Sequence, residues 1–200
     1  MSEIRPAPAR LRAVIDEAFA EHQRVLAAAQ AELAEPLERA GELLVATYRR
    51  GGKAILFGNG GSMTDALHVE GELVGRFAYD RPGLPAVALN GAASLSAIAN
   101  DYSWADAFAR MLQAQARPGD VAWGFSTSGN SENVVRALRQ ARALGLPTLA
   151  FTGAGGGQCR ALADVCLMVP SRHTPRIQEV HILCAHTLCD VVERALFPRA

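Results

Sequence analysis

Five short apolar runs, each unbroken, constrain this chain more than any other feature of its sequence. They are Ala54–Phe57, Ala86–Leu89, Val121–Phe125, Thr148–Phe151 and Val165–Val169. A strand with one wet face alternates apolar and polar residues, whereas an unbroken run is covered on both faces. Helix-length segments separate the runs: 64–77, 94–100 continuing through 105–115, 131–144 and 157–162. A last long helix is expected from about Pro175 to Leu196. Strands alternating with helices are joined by right-handed crossovers into a parallel sheet. The expected fold is therefore α/β, a five-stranded parallel sheet flanked by helices in three Rossmann-like layers.

The first fifty residues have a different texture. From about Leu11 to Arg50 the chain is rich in Ala, Glu and Arg, with apolar residues at helical spacing. Leu11, Val14, Ile15 and Phe19 mark one stripe; Leu33, Leu37, Ala40, Leu43, Leu44 and Thr47 mark another. Pro36 interrupts the run, which predicts two leading helices, or one bent helix, ending at Gly51-Gly52. Such stripes cannot be buried by those helices alone, so they must pack on the rest of the chain or on another copy. No repeat or linker divides the sequence. Residues 1–200 are read as one domain, with 1–50 serving oligomer packing and 51–200 forming the sheet core and the last helix.

Composition excludes several classes. At 200 residues, 50% hydrophobic and 20% charged, the chain is an ordinary globular domain rather than a disordered one. Lys plus Arg and Asp plus Glu balance at 20 each, so no basic excess supports direct nucleic-acid binding. A net charge of zero also leaves little repulsion between copies. No apolar run approaches a membrane span, about 18 residues, and Met1–Pro8 has no apolar core of a secretory signal. A cytoplasmic location without membrane contact is expected. Cys159, Cys166, Cys184 and Cys189 form no Cys-x-x-Cys pair and read as small buried apolar residues.

In open parallel sheets, ligands bind beyond the carboxyl ends of the strands. Two turns there are unusual: Gly58-Asn59-Gly60-Gly61-Ser62 after the first run and Ser126-Thr127-Ser128-Gly129-Asn130-Ser131 after the third. Both place small residues and backbone amides at a helix start, where anions bind. Met63 stands where a dinucleotide fingerprint needs its third glycine, and no Gly-Lys-Ser/Thr follows either turn. Four hydroxyls in six residues suit a phosphate held without a cation. The plainer alternative makes Ser131 a helix cap and the rest a polar turn. Gly153-Ala154-Gly155-Gly156-Gly157 reads as a flexible connection.

His68 and Glu72 are four apart and share a helix face. Gln178 and His186 are eight apart on the last helix, roughly 80° different in azimuth. Two imidazoles, a carboxylate and an amide oxygen can complete a tetrahedral zinc site. From spacing alone, His68 and Glu72 fit a surface pair better than a metal site, and His181 competes for any role given to His186. Glu70, Glu132 and Glu179 read as solvated helix charges, and Trp104 and Trp123 as packing residues.

Four blocks in order carry a resemblance. They are Gly58–Ser62 with His68-x-x-x-Glu72 and Gly75-Arg76-Phe77; Asn100-Asp101-Tyr102; Ser126–Ser131; and Pro170-Ser171-Arg172 with Arg176-Ile177-Gln178-Glu179 and His186. Together they resemble the sugar isomerase (SIS) domain family in its phosphoheptose isomerase branch, over nearly the whole chain. Met63-Thr64, Leu67, Gly71 and Pro175 depart from the usual residues. The resemblance implies a homotetramer, with leading helices between subunits and active sites at subunit boundaries. It implies conversion of sedoheptulose 7-phosphate to D-glycero-D-manno-heptose 7-phosphate through an enediol, feeding lipopolysaccharide heptose. It implies zinc on His68, Glu72, Gln178 and His186, with Glu72 and His186 as the catalytic acid–base pair. Asn59, Gly60, Gly61, Ser62, Glu72, Arg76, Asn100, Asp101, Ser126, Thr127, Ser128, Ser131 and Gln178 would surround the sugar phosphate.

Two other readings remain at this point. A non-catalytic SIS protein that binds the replication initiator DnaA has a similar tail, here Leu188-Cys189-Asp190 through Leu196-Phe197-Pro198, and a similar Asn90. An adaptor has no chemical need for Glu72 and His186, which this chain keeps. An isomerase of another sugar phosphate would use the same pair.

Overall fold

The computed structural model describes residues 8–199. Met1–Ala7, most of the opening segment read above for a signal, lie outside them. The strands are β1 (Ala54–Gly58), β2 (Ala86–Ala88), β3 (Val121–Ser126), β4 (Thr148–Thr152) and β5 (Val165–Met168). They form one parallel sheet in the order β2-β1-β3-β4-β5. Each matches an expected run to within one residue. Leu56, Trp123, Phe125, Leu149 and Phe151 face one core, and Ile55, Phe57, Ala122 and Ala150 the other. Successive side chains alternate between faces. Since both faces are covered, the sequence shows no alternation.

One layer holds α1 (Pro8–Arg49), α2 (Gly61–Val74) and α6 (Thr174–Leu196); the other holds α3 (Ala92–Asp101), α4 (Ala107–Gln115) and α5 (Glu132–Ala143). The leading segment is a single helix that runs through Pro36. An interior proline costs about 3 kcal/mol. Ala29, Leu33, Ala40 and Leu44 nevertheless stay in register on one buried face, on both sides of Pro36, against α6. That continuous stripe offsets the lost hydrogen bond. The earlier stripe is different: Leu11, Val14, Ile15 and Phe19 are exposed, Phe19 by 68%.

The segment expected to continue from 94 through 115 is broken. Ser103 is extended, its hydroxyl donates to Asp106 at 2.6 Å, and a 3₁₀ turn over Trp104–Asp106 precedes α4. Residues 157–161 form a 3₁₀ turn rather than a helix, because three positive-φ glycines, Gly155 to Gly157, leave too short a run. Trp123 is buried, but Trp104 is 51% exposed, its ring edge-on to Phe108. All four cysteines are free; Cys159, Cys184 and Cys189 are buried and Cys166 partly so. Among the described residues, no helix is long and apolar enough to cross a membrane.

Strand order sets the location of the site. From β1 the chain moves to one edge at β2, then crosses back to β3 on the other side of β1. The turns after β1 and β3 therefore diverge and leave a crevice at the point where the winding reverses.

Candidate active site

The turn after β3 forms a cup of hydroxyls. Ser126 Oγ lies 2.9 Å from Ser131 Oγ and 3.5 Å from Ser128 Oγ, and Ser128 Oγ accepts from Asn130 N at 3.1 Å. Ser131 sits at the N-cap of α5 yet makes no side-chain cap bond. Its hydroxyl turns to Ser126, so the simple-cap alternative does not describe this turn. Gly60 likewise opens α2 without a side-chain cap. Asn133 Oδ1 accepts from Val134 N at 3.0 Å, but the N-cap residues themselves cap neither helix, and first amides beside hydroxyls suit an oxyanion. Ser62 is buried, and Thr127 is partly so.

Asn59 joins the two turns across the crevice. Its amide donates to Asn133 Oδ1 at 2.9 Å and accepts from Asn133 Nδ2 at 2.8 Å. Asn133, on α5, is almost fully buried. No sequence motif marks it. The signal was a polar residue on the apolar face that Val134, Ala137 and Leu138 continue.

The glycine turn at 153–157 is packed, not flexible. Gly153 N donates to Thr127 O at 2.9 Å, and Cys159 N to Gly129 O at 3.0 Å. A Cβ on Gly129, whose φ is +65°, would fall 2.1 Å from Gly156 O. The two glycine turns meet backbone to backbone, and the second fixes the shape of the first.

On α2 and α6, three side chains converge. His68 Nε2 lies 3.1 Å from Glu72 Oε1 and 3.1 Å from His186 Nε2. The ring centroids of His68 and His186 are 4.9 Å apart, and Phe77 lies 5.7 Å from the His186 ring. One nitrogen cannot donate to a carboxylate and accept from an imidazole together, since a neutral ring nitrogen does one or the other. The ligand atoms of His68, Glu72 and His186 all lie within 4.8 Å of one another. Two imidazoles and one carboxylate are a set that catalytic zinc uses, with a position left open. The residues present fit such an ion. The amide of Gln178 rests against Gly61, where an added Cβ would meet Nε2 at 2.6 Å.

Asp65, one turn before His68, was not singled out by the sequence. Its Oδ2 is buried without a partner among the described residues, and burial raises its carboxyl to about 6. His181 does not compete with His186. It is fully buried, contacts Thr152 O at 3.1 Å, and burial lowers its pKa to about 4. Glu179 is no free surface charge either, since it bonds both His22 and Arg176.

The sequence pattern of the SIS domain family matches residues 18–153. A phosphoheptose isomerase from Burkholderia pseudomallei is 47% identical over 92% of this chain and 94% of its own length. The solved phosphoheptose isomerase GmhA of Neisseria gonorrhoeae is 40% identical, covers 92% of this chain and 98% of its own, and superposes with a TM-score of 0.87. That of Francisella tularensis is 33% identical over 90% and 96%, with the same TM-score. This chain belongs to the SIS domain family. Within that family it groups with the phosphoheptose isomerases, and it is an isomerase.

Not every expected site residue of this SIS domain is drawn into the crevice by one chain. Asn100 and Asp101 stand exposed at the end of α3, with Asn100 Nδ2 donating to Asp101 Oδ1 at 2.8 Å. Arg76 is exposed just beyond α2. Met63 and Leu67 pack into the apolar core, so their departures alter packing at the helix base. Nothing in the structure explains Gly71. Concavity is a poor guide here. A cleft of about 740 Å³ lies at the amino ends of β4 and β5, among Arg39, Arg50 and Arg142, far from these turns.

Proposed function

We propose that this isomerase interconverts sedoheptulose 7-phosphate and D-glycero-D-manno-heptose 7-phosphate, supplying heptose for lipopolysaccharide precursors. The convergence of His68 and Glu72, on the helix that leaves the Asn59–Ser62 turn, with His186 on α6 carries the reading. Ketose-to-aldose conversion needs a base at C1 and an acid–base group for the two oxygens. Glu72 takes the C1 proton and returns it to C2. His186 gives a proton to O2 as the enediol forms and takes one from O1 as it collapses. Ser126, Thr127, Ser128 and Ser131, with Asn59, Gly60, Gly61 and Ser62, hold the phosphate and so place C1 against Glu72.

His68, Glu72, Gln178 and His186 would hold zinc, which when bound polarises the sugar carbonyl. In this reading four copies assemble through the leading helices. The exposed Leu11, Val14, Ile15 and Phe19 support that assembly, as does a groove of about 360 Å³ between α1 and α6. Arg76, Asn100 and Asp101 then complete sites at subunit boundaries. The enzyme works in the cytoplasm.

The test is proton NMR of the zinc-loaded protein with sedoheptulose 7-phosphate in heavy water. The aldoheptose phosphate is expected, and its deuterium content at C2 reports how well the enediol is shielded. Exchange at C1 without aldose would keep the chemistry and change the sugar. An unchanged spectrum from a folded, metal-loaded protein would remove sedoheptulose 7-phosphate as the substrate and direct the test to other sugar phosphates.

A further inference from the structure

The helices α2 and α6 each bring part of the histidine–carboxylate cluster, so their relative placement must be set to a fraction of an ångström. A buried charged pair stands where they meet. Glu193 lies seven residues after His186 on α6, about two turns along the same face. Its side chain is fully buried. Glu193 Oε2 accepts from Phe77 N and Ala78 N, both at 3.0 Å, and Oε1 from Tyr79 N at 3.1 Å. Three successive amides of the turn after α2 thus close on one carboxylate.

Arg81 approaches from the other side and is equally buried. Its Nη2 donates to the carbonyl of Glu72 itself at 2.8 Å, and its Nη1 to Leu73 O at 2.6 Å, Pro82 O at 3.1 Å and Gly75 O at 3.3 Å. These include last-turn carbonyls of α2, which have no partner within the helix. The two charges are only loosely paired: Arg81 Nε is 3.9 Å from Glu193 Oε2. Each spends its hydrogen bonds on backbone. The turn they hold carries Phe77 onto the His186 ring.

We propose that Arg81 and Glu193 form a latch that positions Glu72 and His186 against each other. The latch rests on the reading of His68, Glu72 and His186 as a metal and catalytic cluster. Buried charges are seldom the cheapest way to add stability, since well-packed apolar residues often serve as well. Here the pair does what apolar residues cannot. It seizes the backbone of the base-bearing helix and of the intervening turn from opposite sides, and it anchors both to α6.

Two variants test the latch, Glu193→Gln and Arg81→Lys. A Gln amide turns donors toward backbone amides, and a Lys ammonium cannot reach as many carbonyls as the guanidinium fork. Zinc affinity, read by competition with a chromophoric chelator, is expected to fall about 10- to 100-fold in the folded variants. The turnover number falls with it, while KM for the sugar phosphate, set at the hydroxyl turn, changes little. Leu138→Ala, a buried substitution on the opposite sheet face, lowers thermal stability and leaves zinc affinity unchanged. In metal-free protein, the Phe77–His186 ring contact is followed by nuclear Overhauser effects. It is expected in the wild type and in Leu138→Ala, and lost in both latch variants. If that contact and zinc affinity persist in the latch variants, the pair is only structural and the proposal is overturned. If the wild type binds no zinc, the metal reading fails, and the ring contact alone still decides the latch.

Discussion

The hydroxyl turn after β3 and the cluster of His68, Glu72 and His186 serve one proposed reaction, but they are built in opposite ways. The turn is contiguous. Ser126 to Ser131 are fixed by their own hydrogen bonds and by the glycine turn behind them. The cluster is assembled from residues 118 apart in sequence, on two helices, and exists only when α2 and α6 pack correctly. The first arrangement suits a group that binds alike in ground and transition states. The second suits the reacting carbons, where small displacements cost most. Substitutions at the two ends should therefore separate KM from the turnover number.

Glu72→Gln separates the two ends most strongly. The amide keeps the shape of the side chain and removes the base. Turnover is expected to fall about 10²- to 10⁴-fold, with phosphate-dependent binding, read calorimetrically with the substrate itself, almost unchanged. Comparable loss in binding and turnover would mean that the two ends are not separable. Retained turnover would remove Glu72 as the base.

A second effect concerns packing under the cluster. His181 lies between Gln178 and His186 on α6 and makes its hydrogen bond to Thr152 O, at the end of β4. Burial lowers its pKa from 6.5 to about 4. Protonation therefore favours the unfolded chain. The stability it brings is full above pH 6.5 and is lost as pH falls toward 4, up to about 3 kcal/mol in total at 1.36 kcal/mol per unit. In His181→Gln, the fall in unfolding midpoint between pH 7 and pH 4.5 should flatten. An unaltered slope would assign the acid sensitivity to other groups.

The same contrast explains what could be read from the sequence. The five strands were legible because double burial writes an unbroken apolar run, and the hydroxyl turn because its chemistry is local. Pro36 left one helix or two open, since a breaker is visible in sequence while the buried stripe that overrides it depends on α6. The glycine turn at 153–157 misled for a similar reason: its partner, Gly129, lies one helix and one strand earlier in the chain. By spacing, His68 and Glu72 looked more like a surface pair than a site; packing of α6 on α2 brings His186 beside them. Asn133, Arg81 and Glu193 gave no motif at all: Asn133 and Glu193 find their partners across long separations, and Arg81 bonds nearby backbone carbonyls that no residue pattern marks.

The smallest effect tests the turn by itself. Ser128 is exposed, and its hydroxyl accepts from Asn130 N at 3.1 Å while lying 3.5 Å from Ser126 Oγ. Ser128→Ala removes one proposed donor to the phosphate and two internal contacts, without burying an unpaired group. A hydrogen bond to a charged group contributes about 1.5–3 kcal/mol, and shared donors and exposure place this one near the lower bound. KM is expected to rise about tenfold, with the turnover number and zinc affinity unchanged, because nothing in the turn touches His68, Glu72 or His186. A loss confined to the turnover number would make the turn part of the chemistry, and the division between a local binding end and an assembled reacting end would fail.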